Sequence, residues 1–319
     1  MTSALRIVTA AELDAWGYSS RKRRAEPTSS LLVPLRAGLF AIRDEWEGST
    51  PEAQITARAA ALARVAVEPP VFSHHTAAAL LGLPLYDPDP SKLHVIVPDE
   101  RPGRARGVIR HRGVLDVDEV IAAAGLHCTS PRRTVADVAR TATPEAAVAV
   151  ADAALRSLFV RDRRDYDEQG ALAWADSAVQ TARRSAHGVA RATRVLAFAD
   201  GRAERPGESV SRLRLAQLGY RRPRLQLRVP APHAGKNFFV DFGLDDAGAL
   251  GEFDGRIKYV GGRLQIDRTE DEVFEAEKER EDWIRGVTGR PLVRWGWSHI
   301  ATPATLGARL RAFGVTAPD

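Results

Sequence analysis

The chain has 319 residues, 44% of them hydrophobic and 27% charged. At about 150 residues per domain this length points to roughly two domains, and the composition excludes a disulfide miniprotein or a disordered tail. Lys plus Arg number 46 against 41 Asp plus Glu, a formal +5 at pH 7, and the cations are almost all arginine because only Lys22, Lys92, Lys236, Lys258 and Lys278 are lysines. Such a surplus suits a nucleic-acid partner, and equally reflects an Ala- and Arg-rich composition. Cys128 is the only cysteine, which excludes an internal disulfide and a thiolate-rich metal site and fits a reducing compartment. The N-terminal apolar stretch is too short for a signal peptide and no stretch nears about 18 apolar residues, so a soluble, cytoplasmic protein without a membrane partner is expected.

Residues 9–16 read as a short helix, and a second starts behind Ser19 or Ser20 and runs through RKRRA to Pro27. Two strands, 31–34 and 39–42, flank the turn Arg36-Ala37-Gly38, so the order helix, helix, hairpin is that of a small winged helix-turn-helix. Proline at the first helical position announces a helix over 51–67, which Pro69-Pro70 ends. VFSHHTAAALLGLPL predicts a strand end and a short helix behind Ser73, then strands at LHVIVP and GVIRHRGVL. Helices start again at Ser130-Pro131 and Thr143-Pro144, and residues 168–199 read as two more. Glycine, proline and charge in DGRAERPG, residues 200–207, mark a boundary, after which come a helix over 207–218, strands RLQLRVP, NFFVDFGL and ALGEFDG, a helix over 269–285 and a strand LVRWGW.

The segment FFVDFGLDDAGALGEFDG alternates about a turn at Asp246 and Ala247 and predicts a hairpin. Pairing Leu244 with Ala249 makes partner numbers sum to 493, which sets Asp241 opposite Glu252, with Asp254 on the same face and Val240, Phe242 and Phe253 turned to a core. Like charges opposed across strands are unfavourable by about 0.2–1 kcal/mol per pair on a wet surface. A hard divalent cation would compensate them and would support phosphodiester hydrolysis, with Lys258 or Lys278 positioning the attacking water. A solvated face neutralised by arginines is the competing reading. Glu208 has the same duality, as a ligand or as the partner of Arg212 one helical turn on, and Lys278 as a site lysine or as the partner of Glu275 or Asp282.

Glu208 in PGESVSRLR, Asp241 in FVDF, Glu252 and Asp254 in GEFDGRIKY, then EAEKERED and LVRWGWSHI together resemble the PD-(D/E)XK nuclease superfamily, specifically its small domains similar to very-short-patch-repair endonucleases, over residues 205–300. The resemblance implies that Glu208, Asp241 and Glu252 bind Mg²⁺ (or Mn²⁺) for cleavage of DNA. The chain departs from the pattern at one position: Asp254 stands where the family has its lysine, so Lys258 or Lys278 would have to substitute.

AAELDAWGYSSRKRRA with LVPLRAGLFAI resembles the winged-helix domain of the AbiEi family, the antitoxin and transcriptional-repressor half of an abortive-infection toxin–antitoxin system, and VFSHHTAAALLGLPL and CTSPRRTVADVAR match the region that follows it. This second resemblance, over residues 5–160, implies binding to double-stranded DNA, a role in phage defence, and a cognate toxin protein as partner. Arg21, Lys22, Arg23 and Arg24 at a helix start, Ser19 and Ser20 before them and Arg36 at the wing tip are the residues that would meet phosphates. A charged, solvated helix used for protein contacts is the bland alternative.

Histidines 74, 75, 94, 111 and 127 lack the close spacings of a zinc motif, and the sequence gives no reason to expect a metal there. Trp295 and Trp297 read as packing against the last helix, and Arg133 with Asp137 as a helix pair. The expected fold is α+β and multidomain: a winged helix-turn-helix over 1–48, a mainly helical α+β middle region over 49–200, and a restriction-endonuclease-like α/β domain with a mixed central sheet over 205–319. The expected function is that of a DNA-binding protein with a Mg²⁺-dependent endonuclease domain. The alternative is a non-enzymatic AbiEi-like repressor whose nuclease fold is inactive.

Overall fold

The computed structural model describes residues 5–19, 21, 31–98, 103–105, 107–221, 223–233, 235–255 and 270–318. Among these the protein is mixed α+β, with 11 helices and several sheets, and no helix is long and apolar enough to cross a membrane. It divides into two compact units, residues 1–150 with 172–197, and residues 151–171 with 198–319.

The first unit opens with β1 (Val8–Thr9) and α1 (Ala10–Ala15). Thr9 caps α1 in a reciprocal box: its hydroxyl accepts the Glu12 N–H at 3.2 Å while the Glu12 carboxylate accepts the Thr9 N–H at 2.7 Å. Next come β2 (Leu32–Arg36) and β3 (Leu39–Ile42), a hairpin turned by Gly38 at φ +73 and joined by β1 in a three-stranded antiparallel sheet of order β1-β3-β2. After α2 (Arg43–Glu47), α3 (Pro51–Val65) lays Ala57 and Ala61 against Leu35, Leu39 and Ala41. The predicted second short helix lies almost entirely outside the described residues.

A six-stranded mixed sheet follows, built from β4 (Val71–Phe72), β5 (Leu93–Val97), β6 (Gly103–Ala105), β7 (Val108–Arg112), β8 (Val120–Ala123) and β9 (Leu126–Thr129) in the order β6-β7-β5-β4-β9-β8. The predicted strands at LHVIVP and GVIRHRGVL are β5 and β7, paired in parallel. The unit also holds α4 (His74–Leu80) and α5 (Pro131–Thr141), with the N-terminal part of α6 (Pro144–Phe159) and most of α7 (Glu168–Arg183) and α8 (Val189–Phe198). Arg133 bonds Asp137 at 2.8 Å as the spacing predicts, and both are buried.

The second unit takes the end of α6, the hairpin β10 (Val160–Asp162) and β11 (Asp165–Tyr166), and α9 (Pro206–Gln217). Its sheet runs β12-β13-β14-β15, from β12 (Arg224–Pro230), β13 (Asn237–Leu244), β14 (Ala249–Phe253) and β15 (Leu292–Trp295). The first three strands are antiparallel; β15 joins β14 in parallel after α10 (Glu270–Thr288), and α11 (Pro303–Ala312) closes the unit. The β13–β14 register is the one read from the sequence: Phe242↔Gly251, Gly243↔Leu250 and Leu244↔Ala249 each sum to 493.

Two apolar groups hold this sheet. Val229, Val240, Leu250, Leu292 and Ile284 of α10 form one. In the other, Trp295 stacks on Phe242 at 5.4 Å and donates its indole N–H to Ser211 of α9 at 2.9 Å. Trp295 is therefore a packing residue, anchored to α9. Its ring sits over Gly251, and the Phe253 ring over Gly207, so a β-carbon at either glycine would collide with an aromatic ring.

Gly251→Ala is therefore expected to destabilise the protein by about 2 kcal/mol through overpacking. Gly286→Ala on α10, where a β-carbon meets open space, should be neutral or stabilising by up to about 1 kcal/mol. Urea denaturation of the two variants checks the contrast.

Candidate functional site

Three acids of the second unit gather where α9 begins and where β13 and β14 part. Helix α9 opens with Pro206 in its first turn, as proline's fixed φ favours, and Glu208 in that turn is buried. Glu208 Oε2 accepts the backbone N–H of Glu204 at 2.8 Å and lies 3.4 Å from the Gln226 amide nitrogen. The same nitrogen lies 3.5 Å from Asp241 Oδ1, while Asp241 Oδ2 accepts the Phe253 N–H at 2.9 Å. Gln226 thus bridges two carboxylates with one amide, and its backbone sits at φ +49, a left-handed conformation that non-glycine residues rarely adopt outside functional or strained positions.

Burial first, then the negative charge of Asp241, pushes the Glu208 carboxyl up to about 8. Burial also raises Asp241, to about 6, against the Phe253 hydrogen bond and with help from the charges of Glu252 and Glu204. The pair therefore holds a proton near neutral pH. A buried and a half-buried carboxylate sharing excess negative charge form a hard-oxygen donor set of the kind that Mg²⁺ prefers, so Glu208 and Asp241 fit such an ion.

Glu252 is differently placed. Its side chain is clamped by Arg280 of α10, with contacts of 2.6 Å and 3.3 Å to its two oxygens, and Arg294 of β15 approaches it at 3.9 Å. Arg280 also donates to the Phe239 carbonyl at 2.9 Å, and Arg294 bonds Asp254 at 3.3 Å and Glu277 at 3.1 Å. The neutralising cations are thus two arginines that the sequence reading did not single out. Lys278 is exposed and carries no ion pair among the described residues, and Lys258 lies outside them. Glu208 does not pair with Arg212, whose guanidinium instead bonds buried Asp152 at 2.6 Å.

A second set of arginines borders the acids. Glu204 binds Arg163 at 2.7 Å and Arg156 at 3.0 Å, and Arg163 feels the charges of Glu208 and Asp241 after its bond to Glu204, which together raise its pKa. Arg156, Arg163, Arg164 and Arg202 line a cavity of about 210 Å³ that Gln226 also borders. Arg156, Arg163 and Arg164 come from residues before the 205–319 span expected to carry the site, through α6 and the β10–β11 hairpin.

In the first unit, Ser19 and Arg21 are exposed and Arg36 is half-buried at the end of β2; Ser20, Lys22, Arg23 and Arg24 lie outside the described residues. Three of the first unit's histidines converge there, which the sequence reading did not anticipate. His74 opens α4, His94 lies on β5 and His111 on β7; ligand atoms of all three fall within 4.8 Å of one another, the one such histidine, cysteine or carboxylate trio among the described residues. Chain spacing carries no trace of it, because the parallel β5–β7 pairing makes the contact.

No family model matches the chain. Two uncharacterized proteins of Mycobacterium tuberculosis, Rv2248 and MT2308, from two strains, are each 32% identical over 194 residues; the match takes in 60% of this chain and 65% of theirs. The chain thus spans just under two thirds of the length of these relatives. The crystal structure of the Rv2827c protein of the same organism aligns over 60% of this chain and 75% of that one, with 16% identity and a TM-score of 0.31.

Two outcomes follow from the acid site. Glu208 and Asp241 bind protons more tightly in the folded than in the unfolded chain, so they stabilise folding below the ordinary carboxylate range and lose that contribution as pH rises to about 8. Glu208→Gln should flatten this decline; thermal melts in chelator at about pH 5 and about pH 8 would refute the assignment if wild type and variant lost the same ground. Arg280→Ala leaves Glu252 buried without its main partner and should cost about 3 kcal/mol in urea denaturation.

Proposed function

We propose that the second unit is a Mg²⁺-dependent DNA endonuclease of the restriction-endonuclease-like α/β class, and that a winged helix-turn-helix at the front of the chain brings it to duplex DNA. The observation that carries this reading is the pair of buried Glu208 and half-buried Asp241, joined through Gln226 and bordered by an arginine-lined cavity. Mg²⁺ bound there would stabilise charge on a scissile phosphate and lower the pKa of an attacking water. Glu208 and Asp241 would hold the ion and surrender their shared proton to bind it. Arg163, facing both acids, would meet a phosphate oxygen, and Arg280 would hold Glu252 in place through their ion pair. At the front, α1 and the β2–β3 hairpin would supply the first and last parts of the helix, helix, hairpin order, the second helix lying almost entirely outside the described residues, and Arg36 with the basic run Arg21, Lys22, Arg23 and Arg24 would meet phosphates.

A second reading has its own observation. Arg280 already occupies Glu252, and Asp254 stands at the family's lysine position, paired with Arg294. Both favour an AbiEi-like repressor that binds DNA, or a cognate toxin, without cutting.

Purified full-length protein incubated with supercoiled and linear DNA distinguishes the two. Cleavage should require Mg²⁺ or Mn²⁺ and fall at least about 100-fold in Asp241→Asn and Glu208→Gln, the scale on which lost transition-state charge stabilisation usually registers. Cleavage surviving both substitutions overturns the site. No cleavage under any condition, with salt-sensitive duplex binding intact, favours the repressor. In either reading, neutralising Arg21, Lys22, Arg23 and Arg24 together should make the log–log salt dependence of binding shallower by about 3 to 4.

A further inference from the structure

The histidine trio of the first unit has features that ordinary packing leaves unexplained. His74 is buried, and its Nε2 has no hydrogen-bond partner, whereas its Nδ1 lies 3.0 Å from Ser73 Oγ. The tautomer that donates from Nδ1 to Ser73 leaves the Nε2 lone pair free, in the pattern by which an outer-shell oxygen orients a metal-binding imidazole. An unmet buried polar atom costs about 1–3 kcal/mol, a cost that a ligand would remove.

The other two rings supply a matching set. His94 Nδ1 and His111 Nε2 are 2.9 Å apart, close enough for an N–H of one ring to meet the lone pair of the other. The His74 ring stacks 3.7 Å from that of His111 and 5.4 Å from that of His94, and His75 presents an edge to His94 at 5.6 Å.

The surrounding chain fixes these positions. The Ser73 N–H donates to the His94 carbonyl at 3.0 Å and the His94 N–H to Thr76 Oγ1 at 2.8 Å, which docks the start of α4 onto β5. The β5–β7 register pairs His94 with Ile109 and Ile96 with His111, placing both histidines on one sheet face. His74 itself sits at φ +50, a left-handed backbone conformation that non-glycine residues rarely adopt. His94 and His111 are only partly buried, which leaves a way in from solvent.

We propose that His74, His94 and His111 form a binding site for one divalent transition metal of the imidazole-preferring class, with Zn²⁺ as its ordinary occupant. Three imidazoles without a carboxylate or thiolate select Zn²⁺, Cu²⁺ or Ni²⁺ over Mg²⁺ or Ca²⁺, and three protein ligands leave a fourth position for water or another exchangeable ligand. Cys128 and His127 are not members of the set. The site is separate in chain and in chemistry from the carboxylate pair of the second unit, so it stands or falls independently of the nuclease reading.

The test uses the full-length chain without an affinity tag, stripped with chelator and titrated with Zn²⁺ or Co²⁺. One equivalent should bind, Co²⁺ should develop visible d–d bands, and the ring NMR signals of His74, His94 and His111 should shift while that of His127 stays in place. His94→Ala and His111→Ala should weaken binding by more than about 100-fold, beyond what loss of an outer-shell partner does, with circular dichroism unchanged. Glu208→Gln should leave it intact. Should an alanine variant unfold, His111→Gln and the wild-type ring shifts still decide. Failure of the wild type to take up stoichiometric metal overturns the proposal, as does uptake that persists in the His94→Ala, His111→Ala double variant.

Discussion

The second unit depends on one topological constraint: β15 pairs with β14 in parallel, so the chain must cross the sheet between them. Helix α10 makes that crossing and thereby brings Arg280 to Glu252, while the strand pairing itself sets Arg294 beside Glu252. Without the crossover, Glu252 would be a buried acid next to Asp241 with nothing to offset it. The consequence is an uneven distribution of compensation. Glu252 holds two arginines, whereas Glu208 and Asp241 share one neutral amide and keep their excess negative charge. A hard cation suits this arrangement for the same reason that the pair retains a proton in its absence.

The hairpin register was legible in the sequence because its determinants are local. Alternating apolar residues, a short turn and Gly248 in the left-handed region leave one pairing that buries Phe242 and Leu244. Proline-led helices were legible for the same reason, since Thr50-Pro51 and Ser130-Pro131 encode their own starts. The β8–β9 hairpin escaped the reading: its turn is Ala124-Gly125 with both residues at positive φ, and an alanine there gives none of the Asn-Gly signal that usually marks such a turn. The contribution of Arg163 to the acid site escaped too. It arrives through a hairpin far from Glu208 in sequence, and an arginine in a run of charges carries no local mark of what it will face.

The same distinction separates the two donor sets. Acids at Asp241 and Glu252 are brought together by a short hairpin and can be foreseen by counting residues, but His74, His94 and His111 meet only through a parallel strand pair and a docked helix start. Spacing rules for zinc describe ligands that share a helix or a knuckle; they are silent where each ligand comes from a different element. An absent spacing motif therefore carried no weight against a metal in this unit. What carries weight is the buried Nε2 of His74, an atom whose desolvation is offset by nothing in the protein's own hydrogen bonding.

Charge balance makes the two sets complementary. The oxygen pair is negatively charged yet retains a proton on the raised Glu208 carboxyl near neutral pH, so binding of a cation there would be coupled to proton release. Imidazoles bind metal in their uncharged form, and His74 is held well below its ordinary pKa by burial first and then by neighbouring histidines. A hard ion exchanging with substrate, as the proposed nuclease would need, and a borderline ion joining three elements, as proposed for the histidines, would be different demands on a donor set. Oxygen donors would suit the first and nitrogen donors the second, and neither set offers the other ion comparable ligands.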